Sequence, residues 1–224
     1  MAEPEAAIVF DVDGVLLNLT SAEEDIFFLP FLQRYGLTGL SRDWDSYRIR
    51  NDHDIITEIV ETHGLPKTDI PEIIEDYENA MSWGLQSGSL VPEVVDGAVE
   101  LLAELSELSV LGIATANLLS IAKLRLAAAD LWTRVSRLPY GAEGGGHKRE
   151  ILSRAVRASG LGPQRIVYIG DNLNDVEAGL VNGVHFVGFS MEESRRERLR
   201  AAGAVHLSGD HVTTGQLIAT LLMA

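Results

Sequence analysis

Asp11 and Asp13 stand two residues apart at the end of an apolar run, IVFDVDGVLL over residues 8–17. A buried carboxylate is costly unless something compensates its charge. On an extended backbone, residues two apart point the same way. The two charges therefore repel unless a cation or a shared proton lies between them. Gly14 follows and allows a sharp turn. Three further polar signals stand at the ends of apolar runs or open a helix. VLGIATAN ends in Thr115 and Asn117, Lys148 opens KREILSRA, and IVYIGDNLND carries Gly170-Asp171 with Asp175 four residues on. Together they offer carboxylates, a hydroxyl and an ammonium at one edge of one sheet. Oxygen-rich sites of this kind suit Mg²⁺, a hard ion that keeps several waters and pairs with phosphate oxygens. The expected cation is Mg²⁺, held between Asp11 and Asp171.

The elements that must position these residues follow from periodicity. Short apolar runs (AAIVF, SVLGIAT, RIVYIGD, VHFVGF) alternate with helical patterns such as VDGAVELLAELSEL and REILSRAVRASG, the latter closed by Gly160. This alternation predicts a Rossmann-like α/β fold, a parallel sheet with helices on both faces. In such sheets ligands bind beyond the carboxyl ends of the strands, where the polar residues fall. From Leu19 to Leu90 the rhythm breaks into helical stretches without a convincing strand. The first, SAEEDIFFLPFLQRYG, has Ser21 and Glu24 in capping-box spacing, Pro30 as a kink or break, and Gly36 as its stop. NDHDIITEIVETHG and DIPEIIEDYENAMSW follow. The expected organisation is a core domain of residues 1–18 and 91–224 and an inserted helical domain of residues 19–90.

Composition removes several classes. The 18 basic against 33 acidic side chains give a net charge of −15, which speaks against a general nucleic-acid binder. With no cysteine, disulfides and thiolate catalysis are impossible. The acidic amino terminus is unlike a signal peptide, and no apolar stretch reaches the length of a membrane span, so a cytoplasmic protein without membrane contact is expected. GAEGGGHK nearly reads as a phosphate-binding P-loop, but His147 stands where the lysine belongs and no hydroxyl residue follows. It reads instead as a flexible loop delivering Lys148. The six histidines form no metal-binding spacing, and Trp44, Trp83 and Trp132 read as packing residues.

The order DxDG, an apolar run ending in Thr, then Lys, then GDxxxD resembles the haloacid dehalogenase superfamily of phosphohydrolases. TANLLSIAKLRL and GDNLNDVEAGLVNG look especially like its phosphoglycolate-phosphatase-like branch, in which a helical cap follows the first strand. The resemblance implies a Mg²⁺-dependent phosphatase acting on a small phosphorylated metabolite. Asp11 would be the nucleophile that forms an aspartyl phosphate. Asp13 would protonate the leaving oxygen and then activate the hydrolytic water. Asp11, the Asp13 carbonyl and Asp171 would hold the metal, with Asp175 contributing directly or through water. Thr115 and Lys148 would hold the phosphoryl oxygens, with Ala116 and Asn117 beside them. In the cap, YRIRNDHDI resembles the family stretch aromatic-x-Gly-Lys-Thr-Asp, with Ile49 and Asn51 departing from it. Arg50, or Arg48, would reach the substrate's distal group, or else be a surface arginine on a cap helix. A hexose-phosphate mutase of the same fold and a non-catalytic phosphate-binding relative are the alternatives. Gly170, where mutase relatives commonly carry glutamate, favours hydrolysis. A monomer or homodimer is expected.

Overall fold

The runs AIVF, VLGIA, IVYIG and HFVGF are four or five residues long and rich in β-branched or aromatic side chains, which suits strands rather than helices. The computed structural model of the chain describes residues 6–107 and 109–223. Residues 1–5 of the acidic amino terminus, and Leu108 at the end of VDGAVELLAELSEL, lie outside the described residues. The chain begins β1 (Ala7–Phe10), β2 (Leu17–Asn18), α1 (Ser21–Tyr35), α2 (Asp52–Thr62), α3 (Ile70–Ser87) and β3 (Glu93–Val94). It continues α4 (Ala98–Leu105), β4 (Val110–Ala114), α5 (Leu119–Ala128), α6 (Trp132–Val135), β5 (Leu138–Tyr140) and α7 (Lys148–Ser159). The last third is β6 (Ile166–Gly170), α8 (Leu173–Asn182), β7 (His185–Phe189), α9 (Glu193–Ala201), β8 (His206–Ser208) and α10 (His211–Met223).

Six strands form one parallel sheet in the order β5-β4-β1-β6-β7-β8. Both faces are buried, as continuous apolar strands require. Ile8, Phe10, Ile113 and Ile169 face one apolar cluster, while Ala7, Val9, Ala114 and Tyr168 face another. The chain is therefore a Rossmann-like α/β fold. A third cluster, including Phe27, Phe31, Ile59, Ile73 and Met81, gathers α1, α2 and α3 around Leu118 and Ile121 of the α5 region. Strands β2 and β3 pair antiparallel at the two ends of this helical segment.

Three local expectations need correction. The capping box of α1 lies one residue earlier than Ser21 and Glu24. Thr20 is the N-cap, its Oγ1 accepting from Glu23 N, and the Glu23 carboxylate accepts from Thr20 N. Thr20 wins because its extended backbone can turn its hydroxyl onto the first free N–H groups. Pro30 lies inside α1 without ending it, and Gly36 in the left-handed region closes the helix. Trp83 is 69% exposed rather than packed, whereas Trp44 lies edge-on to Phe27 and stacks on Phe28. No helix among the described residues is long and apolar enough to cross a membrane.

Candidate active site

The middle of the sheet brings the motifs together. Asp11, Thr115 and Asp171 directly follow β1, β4 and β6, which are adjacent in the order β4-β1-β6. The Asp11 N–H donates to Ile169 O at 2.8 Å, which extends the ladder by one residue. Gly14 has φ of 74°, and a Cβ there would come 2.3 Å from Asp171 Oδ2. Only glycine allows this turn while leaving room at the Asp171 carboxylate.

Lys148, the first residue of α7, reaches back to the strand ends. Its Nζ lies 2.8 Å from Asp11 Oδ1 and 3.1 Å from Asp175 Oδ1. All three residues are buried. Val12 N also donates to Asp11 Oδ1, at 2.7 Å. Both contacts fall on one oxygen, so the carboxylate is fixed in rotation while Oδ2 has no such contact among the described residues. Asp175 is used fully by the protein. Tyr168 OH donates to its Oδ1 at 2.6 Å, and Asn172 N donates to its Oδ2 at 3.1 Å, closing the capping box of α8. The carboxylate thus fixes Lys148 and a helix start together.

Charge is unevenly compensated here. Burial, aided by Asp175 and Asp171 and opposed by Lys148, pushes Asp11 well above the usual carboxylate range. Burial and the neighbouring Asp175 push Asp171 up to about 7, against Lys148, Arg195 and Arg50. Burial works to discharge Lys148, but Asp11 and Asp175 outweigh it and raise its pKa. One oxygen from each of Asp11, Asp171 and Asp175 lies within 4.8 Å of the others. Two carboxyls held above their normal pKa, with an oxygen-only donor set and space at Gly14, fit a hard divalent cation.

Asp13 has separate partners. Arg125 Nη1 lies 2.7 Å from Asp13 Oδ1, and Asn117 Nδ2 donates to Asp13 Oδ2 at 3.0 Å. Arg125 is 1% exposed, and its Nε donates at 2.6 Å to the equally buried Glu23 on α1. It also donates to Asn117 Oδ1 at 3.0 Å. Sequence reasoning missed both Arg125 and Glu23. Arg125 lies on the buried face of α5 with Ile121, Ala122 and Leu126, but apolar residues surround that short helix, so its periodicity offered no signal. Removing one member of a buried ion pair leaves an uncompensated charge, at about 3–5 kcal/mol. Arg125→Met is therefore expected to lower the melting temperature by about 10 °C in a chain of this size. Glu23→Gln, which keeps a side-chain oxygen for Thr20, is expected to lower it less. Differential scanning calorimetry of the two variants checks the order; equal, negligible shifts would refute the buried charge chain.

The helical segment touches the site through the start of α2. Asp52 N donates to Ala116 O, and Asp52 Oδ2 accepts from Leu118 N, both at 2.9 Å. Burial raises Asp52 to about 7, partly offset by the Leu118 N–H. Gly146 N donates to Asp54 Oδ2 at 2.7 Å, and Asn51 Nδ2 donates to Gly146 O at 2.8 Å. The glycine loop before Lys148 is thus pinned by α2, a correction to its reading as flexible. Arg48 and Arg50 precede α2 instead of lying on a helix. Arg48 pairs with Glu58 and Glu61, whereas Arg50 pairs with Asp45 at 2.9 Å and lines the cavity. Thr115 is buried, its Oγ1 accepting from Asn117 N at 3.2 Å, while Ala116 and Asn117 line the cavity with Lys148. Arg195, unnoticed in the sequence, brings Nη1 to 3.3 Å from Asp171 Oδ2. The cavity between these groups measures about 480 Å³, the size of a small-molecule site.

Comparison with known proteins agrees with this arrangement. A family model described as haloacid dehalogenase-like hydrolase matches residues 8–189. No curated protein gives a significant match. Among solved structures, CbbY from Rhodobacter sphaeroides in complex with phosphate is similar at a TM-score of 0.75 and 19% identity, over 92% of this chain and 94% of that one. A mutant of CbbY from the same organism, in complex with xylulose-(1,5)bisphosphate, is similar at 0.74 and 18% identity, over 92% and 94%. A predicted phosphatase from Clostridium acetobutylicum is similar at 0.70 and 19% identity, over 97% and 99%. At these identities the likeness of the solved structures concerns the fold.

Proposed function

The chain belongs to the haloacid dehalogenase-like hydrolases, and from that premise we propose that it is a Mg²⁺-dependent phosphomonoesterase acting on a small phosphorylated metabolite through an aspartyl phosphate on Asp11. The observation that carries the reading is the separation of the two aspartates. Asp11 is held by Lys148, and Asp13 by Arg125 and Asn117, so neighbouring carboxylates have different partners and can take different roles.

Asp11, fixed through Oδ1 by Lys148 and Val12 N, attacks phosphorus and displaces the alcohol. Asp13 gives its proton to the departing oxygen, then takes one from the water that hydrolyses the acyl phosphate. Arg125 and Asn117 act through Asp13 by fixing the orientation of its carboxylate. Lys148 and Thr115 hold the phosphoryl oxygens, and Tyr168 and Asp175 hold Lys148 in place. Asp11, Asp171 and the Asp13 carbonyl would ligate Mg²⁺. Asp175, whose oxygens are already taken, would support the site through Lys148 and the α8 start. Bound Mg²⁺ supplies positive charge that neutralises and orients phosphoryl oxygens. Helices α1–α3, docked by Asn51, Asp52 and Asp54, serve as a cap that excludes water.

The test is turnover of p-nitrophenyl phosphate with Mg²⁺ and its loss in EDTA, read beside thermal stability. Asp11 and Asp171 have raised folded-state pKa values, so the metal-free protein is destabilised as pH rises from the unfolded carboxylate range through about 7. Below that window the groups are protonated in the folded state and the penalty disappears. Mg²⁺ is therefore expected to raise the melting temperature more at pH 8 than at pH 6. Magnesium-dependent stabilisation without turnover of any phosphate ester would leave the non-catalytic binding relative as the better account.

A further inference from the structure

Three charged side chains stand in line at the cavity wall. Asp13, Arg125 and Glu23 all border the cavity, but Asp13 is 29% exposed and the other two only 1% each. At that burial neither Arg125 nor Glu23 presents an atom to a substrate. Any effect of theirs on the reaction passes through Asp13 or Asn117.

Arg125 holds the Asp13 carboxylate by two routes. Its Nη1 lies 2.7 Å from Asp13 Oδ1 and donates to Asn117 Oδ1 at 3.0 Å. The second bond fixes the Asn117 amide so that Nδ2 donates to Asp13 Oδ2, also at 3.0 Å. A guanidinium is planar and rigid, so whatever holds its other two nitrogens sets the direction of Nη1. Nε donates to Glu23 Oε1 at 2.6 Å, and Nη2 donates to the Asn18 carbonyl at 3.4 Å. Asn18 ends β2, and Glu23 lies in the first turn of α1. The entry of the inserted helical segment therefore aims the fork that grips Asp13. Glu23 is itself fixed, because its Oε2 accepts from Thr20 N at 2.8 Å and from Thr20 Oγ1 at 2.9 Å.

Building on the phosphomonoesterase reading, we propose that Glu23 is a positioning residue for proton transfer from Asp13 to the leaving group. It acts through Arg125 and ties the Asp13 carboxylate to α1 as well as to the sheet. An ion pair that only supported the fold would weigh on every substrate alike. A positioning residue weighs on the substrates that need the proton.

Glu23→Gln tests this with little disturbance of α1. Its single acceptor oxygen serves Thr20 N, which leaves the amide NH₂ against the Arg125 Nε–H, donor against donor. For an alkyl phosphate, whose alkoxide needs a proton as it leaves, kcat/KM is expected to fall at least about tenfold. For p-nitrophenyl phosphate, whose phenolate needs little protonation, it should fall less than about threefold. This parameter reports the steps through departure of the alcohol, so slow hydrolysis of a phosphoenzyme does not enter it. In an Asp13→Asn background the same substitution should cost the alkyl ester nothing further, because residues that act as a unit are not additive. Arg125→Lys keeps a buried cation without the fork. It should show the same dependence on the ester, and it serves as the test should Glu23→Gln fail to fold. Equal losses for the two esters, no loss for either, or a further loss beside Asp13→Asn would overturn the proposal and leave the phosphatase reading standing. Failure of the Mg²⁺-loaded parent to turn over either ester would overturn both.

Discussion

Asp11→Asn is expected to abolish phosphatase turnover, by at least about 10⁴-fold in kcat, while the protein stays folded. An amide is a poor nucleophile toward phosphorus and a weaker ligand for a hard cation, so the same change removes covalent catalysis and weakens the metal site. The fold tolerates the substitution because burial already disfavours the charged form of Asp11. Lys148 keeps Asp175 at 3.1 Å as its partner. Circular dichroism should match the parent, and metal-free stability should be equal or higher, since a buried carboxylate that repels Asp175 and Asp171 is gone. Near-parental turnover by a purified variant would sink the covalent mechanism, whatever happened to metal binding.

The second large effect separates the two aspartates by step. Asp13→Asn is expected to slow phosphorylation of Asp11 by about 10²–10⁴-fold for an alkyl phosphate, whose alkoxide needs a proton as it leaves. With p-nitrophenyl phosphate the leaving phenolate needs little protonation, so phosphorylation should lose much less. Dephosphorylation should then limit the rate, because the same carboxylate activates water. Rapid-quench kinetics would reveal an accumulating phosphoenzyme with the nitrophenyl ester and none with the alkyl ester. Equal losses in the first step for both esters would mean that Asp13 is not the general acid. Arg125 retains Glu23 in this variant, so the buried pair survives and the kinetic change reflects Asp13.

Much of the site is legible because its residues follow strands or open a helix. IVF before Asp11, VLGIA before Thr115 and IVYIG before Asp171 are short, apolar and bounded, so they declare themselves as strands. Whatever follows a parallel strand arrives at the same edge of the sheet. Gly14 is legible for a related reason, since a turn directly after a strand selects a residue that accepts positive φ. Lys148 could be placed at a helix start but not assigned its two partners, because Asp11 and Asp175 meet it only when α7 packs beside the sheet.

Arg50 and Arg48 mark the limit of local reading. A resemblance in the segment before α2 nominated them together, yet Arg48 pairs outward with Glu58 and Glu61 while Arg50 lines the cavity. Their difference depends on how the segment turns ahead of Asn51, which no short pattern encodes. The GAEGGG loop is similar. Its glycines announce freedom of conformation, but Asp54, from a distant helix, removes that freedom through Gly146 N.

By itself the sequence determined which elements form, their alternation, and the carboxylates, hydroxyl and ammonium that stand where they start or end, because propensity and periodicity act over a few residues. Tertiary structure alone decided the pairings. Arg125 meets Asp13 and Glu23 across more than a hundred residues of chain. In a sequence, an arginine in IAKLRLA is indistinguishable from a solvated helix residue. It becomes part of the site because α5 packs against α3, whose neighbour α1 carries Glu23. Once water is excluded there, each of the three charges requires the others.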